Sequence, residues 1–549
     1  MSDNLTERDG PEFFDAVVVG AGFAGLYLLH TLRSKGMRVR VIEAADNVGG
    51  TWYWNRYPGA RCDVISVDYS FSFSEEVQQE WVWTEKYAAQ PEILRYIEFV
   101  TDKLDLRRDI VFSTRVESAI FDDATATWSV STNDGQCIAT RFCIMATGCL
   151  SIPKEPDIPG LTSFTGPVYF TSRWPKQEIN FAGKTVGMIG TGSSGIQAGP
   201  EIAKTAEHLM VFQRTPSFTI PARNVPLTED FVREIKSGYA ERRRQARRHP
   251  AGHLRPITKR TTFSYDTEER RVAFEGAWQR GGQDLFGVFG DLIVNEAANT
   301  EIAEMIYEKI DEAVADPVVA SKLKPQGTPL GGRRLCLDTD YYAMFNRSNV
   351  TLVDVLADPI IEIVADGVQT AGGHYQLDAL VLATGFDAMT GALLNIDIRG
   401  RNGITLRDKW EHGPVSYLGI AIEGFPNLFT ITGPGSPSVL TNVVASIEQH
   451  VEWLAEMIQH MDNHAFWSVE VDAEAQQAWV RHVYDLAAST LMIKANSWYL
   501  GANVPGKPQV FMPYVGGLDV YRDKADGIAR DGYRGFHFTA GPAHATRAD

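Results

Sequence analysis

Ala16-Val-Val-Val19 runs directly into Gly20-Ala-Gly22-Phe-Ala-Gly25, and about a helix's length later the chain reads Val39-Arg-Val-Ile42-Glu43. The β-branched run Ala16 to Val19 predicts a buried parallel strand, because apolar residues without alternation have both faces covered. Leu26, Leu29 and Leu32 recur at helical spacing and Gly36 closes the run, so a helix joins the two strands. This is one βαβ unit. Its glycines let the backbone turn tightly and approach a pyrophosphate, whose charge then rests on the free N–H groups at the helix N-terminus. Glu43 can accept hydrogen bonds from both ribose hydroxyls and repels a 2′-phosphate, so the site suits FAD or NAD rather than NADP. The competing reading is a Gly-rich turn in another α/β protein; strand, helix, second strand and acid together speak against it.

A second unit follows the same grammar with a different ending. Thr185-Val-Gly-Met-Ile189 is its strand, Gly190-Thr191-Gly192-Ser193-Ser194-Gly195 its turn, Ile196 to Thr205 its helix and Leu209 to Phe212 its second strand. Where the first unit carries Glu43, this one carries Gln213-Arg214-Thr215. A guanidinium with a neighbouring hydroxyl suits a 2′-phosphate and removes the repelling acid, so the second site favours NADPH. The plainer alternative is a surface charge at a strand end.

The 549 residues exceed one hydrophobic core, so two or three domains are expected. A formal charge of -17 argues against nucleic acid or an anionic membrane as a general partner. The basic run Arg242 to Arg248 interrupts that background and reads as a solvated helix face. Met1 to Gly10 is polar and without the apolar core of a signal peptide, and no stretch reaches the length of a bilayer span, which points to a cytoplasmic protein. Five cysteines without a Cys-x-x-Cys pair fit reduced structural thiols, and no metal-ligand spacing stands out among the histidines, so no metal is expected.

Between the units lies an aromatic loop, Gly49-Gly50-Thr51-Trp52-Tyr-Trp-Asn-Arg-Tyr57-Pro-Gly-Ala-Arg-Cys-Asp63. It either covers a flat ring or forms a lid packed on the core. A helix is expected from about Gln90 to Leu104, and strands at Ile110 to Val116, Ser118 to Phe121, Trp128 to Ser131 and Arg141 to Met145. Pro153, Pro156 and Pro159 mark a linker. From Leu227 to Lys324 the sequence turns helical and charge-rich, as an insertion within the second unit. Gly331-Gly-Arg333-Arg334 follows; its cations are either exposed and inert, or aimed at a phosphate and a developing anion. Leu377 to Leu382 is another buried strand, ending in Ala383-Thr-Gly385 as Arg141 to Met145 ends in Ala146-Thr-Gly148. The expected fold is α/β, with two Rossmann-like dinucleotide-binding domains for FAD and NADP and a helical insertion in the NADP domain. The expected division is 1–152 and 388–549 for the FAD domain, 153–224 and 331–387 for the NADP domain, and 225–330 for the insertion. The helix Val443 to Met461 would turn its N-terminus toward the flavin, and a late loop around Ser497-Trp498 would return to the cleft.

This order of parts resembles the type I Baeyer–Villiger monooxygenases over nearly the whole chain, nearest in pattern to their phenylacetone, steroid and cyclohexanone members. The loop Gly49 to Asp63 fits the family's Gly-Gly-x-Trp-x-x-x-x-Tyr-Pro-Gly-x-x-x-Asp pattern in full. The second signature, Phe-x-Gly-x-x-x-His-x-x-x-Trp-Pro, is matched at Phe164, Gly166, Trp174 and Pro175, with Phe170 in place of its His. That His is associated with coupling the two nucleotide domains, so the departure bears on coupling rather than on reaction type; local packing of Phe170 on Tyr169 or other apolar neighbours would compensate. The resemblance implies Arg334 as the catalytic arginine, Asp63 as the carboxylate orienting it, Arg333 where a Lys usually meets the 2′-phosphate, and Trp498 against the nicotinamide nucleotide. It also implies that Ala24, Trp52, Tyr69, Val116 and Val443 line FAD, and that Val439 and Leu440 line the substrate pocket. The implied reaction consumes NADPH and O2 through a C4a-peroxyflavin and turns a small-molecule ketone into an ester or lactone. The alternative is a sulfur or nitrogen monooxygenase, or an NADPH oxidase releasing hydrogen peroxide. Oligomeric state is not legible, and a monomer is compatible with the sequence.

Overall fold

The computed structural model of the protein describes residues 12–541; the polar Met1–Gly10 stretch lies outside them. β1 (Phe13–Val19) is flanked in parallel by β2 (Val39–Ile42), with Ala16 opposite Val39, and by β6 (Cys137–Met145), with Val17 opposite Cys143. Ala16, Val17 and Val18 are fully buried, which is why the strand shows no alternation. β3 (Ile110–Val111) extends the edge beyond β2, and β4 (Val116–Asp122) and β5 (Thr127–Thr132) lead back to β6 as an antiparallel meander. The single strand expected over Ile110 to Val116 is therefore two strands at separate places in the sheet. Ser113 breaks it with φ +55°, and the turn is pinned by Ser113 N–H on the Ala45 carbonyl and Thr114 N–H on the Glu43 carbonyl.

The second sheet takes β7 (Val168–Phe170), β8 (Thr185–Ile189) and β9 (His208–Gln213), and after a long excursion β12 (Val350–Asp354) and β16 (Ala379–Leu382), in the order β12-β9-β8-β16-β7, all parallel. β10 (Thr219–Pro221) pairs with β11 (Cys336–Asp338), and β13 (Ile360–Val364), β14 (Gly367–Thr370) and β15 (His374–Gln376) form an antiparallel meander. The chain then returns to the first sheet. β17 (Asp397–Arg399) joins β4 and β18 (Leu428–Thr430) joins the C-terminal half of β6, both in parallel. The fold is α/β with two Rossmann-like units.

Helices Glu229–Arg247, Thr267–Arg280, Glu296–Ala313 and Pro317–Leu323 fill the stretch read as helical. The basic run on the first of them is not a solvated face, as expected from composition. Arg242 grips the buried Asp68 with two hydrogen bonds of 2.6 and 2.7 Å, Arg243 reaches Ser70 at 2.7 Å and Gln78 at 3.0 Å, and Arg247 pairs with Glu452 at 2.8 Å. Long cationic side chains here clamp a helix onto the first core; Arg244 and Arg248 keep to the surface. The aromatic loop is likewise more than a lid. Trp52 and Cys62 are buried in the core of the first unit, while Tyr57 and Ala60 are buried in that of the second. Phe170 packs with Phe164, Ile189 and Leu382, whereas Tyr169 faces the other side of the strand, against Trp174 and Phe181. Phe170 thus packs on apolar neighbours other than Tyr169.

Candidate active site

The first turn closes so tightly that a Cβ on Gly25 would lie 1.8 Å from the Gly20 carbonyl oxygen. The helix Phe23–Ser34 starts there, with Ala24 buried in its first turn. Gly22 faces Gly50, the residue before the short helix Thr51–Trp54; a Cβ on Gly22 would stand 3.5 Å from the Gly50 Cα, leaving a slot walled by backbone. Glu43 follows β2 with one carboxylate oxygen held by Ala21 N–H at 2.6 Å and the other by Ala45 N–H at 2.7 Å. Burial pushes its carboxyl up against the pull of those two N–H groups. Trp52 donates its indole N–H to the Tyr69 hydroxyl at 3.1 Å, Val116 opens β4, and Val443 opens the helix Val443–Asn463 behind the cap Asn442.

The second turn repeats the closure: a Cβ on Gly195 would lie 2.2 Å from the Gly190 carbonyl oxygen. Gly192 opens the helix Ser193–Thr205 with nothing within 4 Å of an added Cβ. Thr191 donates to the Thr215 carbonyl at 2.9 Å, tying the turn to the segment after β9, and Ser193 meets Cys336 at 3.1 Å. Ser194 lies near Tyr57, whose hydroxyl burial pushes up to about 12. Arg214 is exposed. Arg333 donates to the Asn496 carbonyl at 3.0 Å, two residues before Trp498, and its Nε is buried without a partner. Burial pulls the Arg333 guanidinium down, and the charge of Arg214 pulls it further.

Between the two turns Asp63 and Arg334 face each other in a fork, Nε to Oδ2 and Nη2 to Oδ1, both at 2.7 Å. The remaining nitrogen, Nη1, donates to the Val439 carbonyl. Burial drives the Asp63 carboxyl up; the Arg334 charge and its hydrogen bonds overcome this and hold it below the usual carboxylate range. Arg334 is held in the opposite sense: burial works against its charge, and Asp63 more than restores it. The pair still shows about a quarter of its side-chain surface, 25% for Arg334 and 22% for Asp63, so the cation is fixed yet reachable. His253 adds a neutral ring close to Asp63, its imidazole pushed down to about 4 by burial and by Arg255, with Nδ1 unpartnered.

Val439 sits in an apolar cluster with Met389, Met492, Tyr499 and Met512, against which Leu440 and Trp498 pack. Sequence reasoning named Val439, Leu440 and Trp498 and missed the other four, which come from separate loops and carry no local signal. It also missed the dock between the aromatic loop and the second unit. Tyr57 donates to Gln197 Oε1 at 2.9 Å and Gln197 Nε2 donates to the Arg61 carbonyl at 3.0 Å.

Two turns of this kind, one ending in an acid and one in a cation, with a half-buried guanidinium at their junction, define a flavoprotein that draws on a pyridine nucleotide. Residues 17–273 match the family described as pyridine nucleotide-disulphide oxidoreductase. Cyclohexanone 1,2-monooxygenase of Acinetobacter sp is 41% identical over 527 residues, 95% of this chain and 96% of that protein. A Baeyer–Villiger monooxygenase of Pseudooceanicola batsensis is 41% identical over 524 residues, 95% of each chain. Among solved structures, an oxidised steroid monooxygenase bound to NADP is 48% identical with a TM-score of 0.93, covering 96% of this chain and 100% of that one. The chain belongs to the Baeyer–Villiger monooxygenases. It is an FAD- and NADPH-dependent enzyme that inserts one atom of O2 beside a ketone carbonyl to give an ester or lactone.

Proposed function

We propose that Arg334 is the catalytic arginine and Asp63 its positioning carboxylate, and that the substrates are cyclic or aryl ketones entering past Val439 and Leu440. The observation that carries this reading is the fork: three of the Arg334 nitrogens are committed, two to Asp63 and one to the Val439 carbonyl. A guanidinium cannot be deprotonated here, so it presents a permanent charge to the anion that forms during oxygen transfer and to the carbonyl oxygen of the adduct. FAD, when bound, supplies the oxygen activation. The slot between Gly22 and Gly50 and the paired acceptor Glu43 suit its adenosine and pyrophosphate half. Trp52, Tyr69, Ala24, Thr51, Val116 and Val443 would wall it. Gly190 to Gly195 would hold the NADPH pyrophosphate; Arg214, Thr215 and Arg333 would hold its 2′-phosphate, the buried unpartnered Nε of Arg333 being a donor in want of an acceptor. Trp498 would meet the nicotinamide nucleotide. Val439, Leu440, Tyr499 and Met512 would keep the ketone in a water-poor pocket.

The same reading divides the chain into an FAD domain (1–152 and 388–549), an NADP domain (153–224 and 331–387) and a helical insertion (225–330), supported by β17 and β18 pairing on the first sheet. It also places the enzyme in the cytoplasm. All five cysteines are unpaired thiols, and no helix among the described residues is long and apolar enough to cross a membrane. The test is NADPH consumption by the FAD-loaded enzyme with cyclohexanone or phenylacetone, with product ester and hydrogen peroxide quantified together. Ester formed in step with NADPH supports the assignment. Peroxide with little ester for every ketone tried would favour an oxidase or a heteroatom monooxygenase.

A further inference from the structure

The proline linker carries one residue that neither fingerprint includes. Lys154 lies between Pro153 and Pro156, and the structure anchors its backbone from both sides. Its N–H donates to the Gly385 carbonyl at 2.9 Å, its own carbonyl accepts from the Thr384 hydroxyl at 2.9 Å, and Pro153 bridges Phe386. These contacts fix Lys154 to the turn that leaves β16. In the second sheet β9, β8 and β16 are consecutive and parallel, so their C-terminal ends open on one side. Arg214 follows β9, Gly190 to Gly195 follows β8, and Lys154 stands at the end of β16. Ligands of open α/β sheets bind along that row of strand ends.

The charges there are unbalanced. Among the described residues no ion pair involves Lys154, Arg214 or Arg333, although the protein as a whole is strongly acidic. Lys154 is half-buried. Burial pulls its ammonium down and the charge of Arg214 adds to that, just as it does for Arg333. Arg214 thus repels both Lys154 and Arg333 with no ion-paired carboxylate to offset it, and folding leaves that repulsion to be relieved by a bound anion.

We propose that Lys154 is a specificity-determining residue for the coenzyme, a third cation on the 2′-phosphate of NADPH supplied by the interdomain linker rather than by the nucleotide-binding unit itself. The inference rests on the assignment of Arg214 and Arg333 to that phosphate. The pyrophosphate is the other anion within the row of strand ends, but the turn after β8 and the helix behind it already offer it free N–H groups.

The test compares Lys154→Met, Lys154→Arg and Arg214→Ala in the FAD-loaded enzyme. Steady-state KM is measured with NADPH and with NADH, and binding of 2′,5′-ADP and of 5′-ADP is measured by calorimetry. Lys154→Met is expected to raise KM for NADPH and Kd for 2′,5′-ADP about tenfold, the scale of one lost hydrogen bond to a charged group, and to leave the NADH and 5′-ADP values in place. Lys154→Arg should recover most of that loss. An unchanged KM for NADPH in Lys154→Met, beside a raised one in Arg214→Ala, would overturn the proposal alone. Equal losses for NADPH and NADH would overturn it in favour of a pyrophosphate or purely structural role. No effect of Arg214→Ala on either coenzyme would instead sink the assignment on which it rests.

Discussion

The two dinucleotide units close in the same way and end in opposite charge. In each, the last glycine of the turn presses on the carbonyl of the first, and the first packs against an Ala-Thr-Gly exit, Ala146 in one unit and Ala383 in the other. After the second strand they diverge. Glu43 is buried with both oxygens already held by N–H groups, while Arg214 is exposed and unpaired among the described residues. The turns close alike, and on the proposed reading it is the residue past the second strand that selects the coenzyme. A buried acid prepared by two donors suits a permanently held nucleotide; a solvent-facing cation suits one that comes and goes.

The comparison breaks most completely at the closing glycines. Gly25→Ala should give protein without FAD, measured by the flavin-to-protein absorbance ratio. Gly195→Ala should retain yellow FAD yet show no saturable NADPH reduction, because each added methyl falls on backbone. Next comes the junction of the units. Arg334→Ala is expected to lower ester formation by about 10²- to 10³-fold, the usual cost of removing a transition-state charge partner, with flavin reduction by NADPH persisting in stopped-flow traces.

Acid should separate the halves by sign. His450, fully buried behind the first sheet, takes Thr432 N–H on Nδ1 and meets the Tyr521 hydroxyl through Nε2 at 2.9 Å. Burial pushes its pKa down to about 3 from 6.5. The unfolded chain takes up that proton first, so this group costs stability as pH falls from about 6.5 toward 3, by at most about 1.4 kcal/mol per unit. Asp338 on β11 does the reverse. Burial pushes it up to about 6 from 3.8, so the native state takes the proton first, and the stability it contributes in acid is lost as pH rises through about 6. Thermal unfolding at pH 7 and pH 5 should therefore show a smaller acid penalty in His450→Gln than in the parent, and a larger one in Asp338→Asn.

The smallest effect is expected at Phe170→His, which sets an imidazole at a half-buried position against the cluster of Ile189 and Leu382. It should lower stability by about 1 to 3 kcal/mol and leave the ester-to-NADPH ratio unchanged. A rise in that ratio would mean that coupling had been lost with the ring.

The features legible in the sequence are those whose cause is local. A Gly-rich turn between a β-branched run and a helical period names itself, and so does the acid or arginine that follows. The Asp63 and Arg334 pair was reached through family resemblance, since 271 residues separate its members and no spacing links them. The rest depends on long-range pairing. Arg242 to Arg248 read as surface because composition does not reveal Asp68 waiting 174 residues upstream. The run from Ile110 to Val116 read as one strand because nothing local announces that Ser113 must cross from one edge of the sheet toward the other.

The aromatic loop makes the two units inseparable as modules. With Trp52 and Cys62 seated in one core and Tyr57 and Ala60 in the other, the stretch from Trp52 to Cys62 is shared property. A fragment cut at the proline linker would carry Tyr57 and Ala60 with nothing to cover them, and would lack β17 and β18 as well. Genetic separation of the halves should thus yield insoluble pieces, and recombination between relatives should succeed only where the loop travels with the surface of the Ser193–Thr205 helix that receives it.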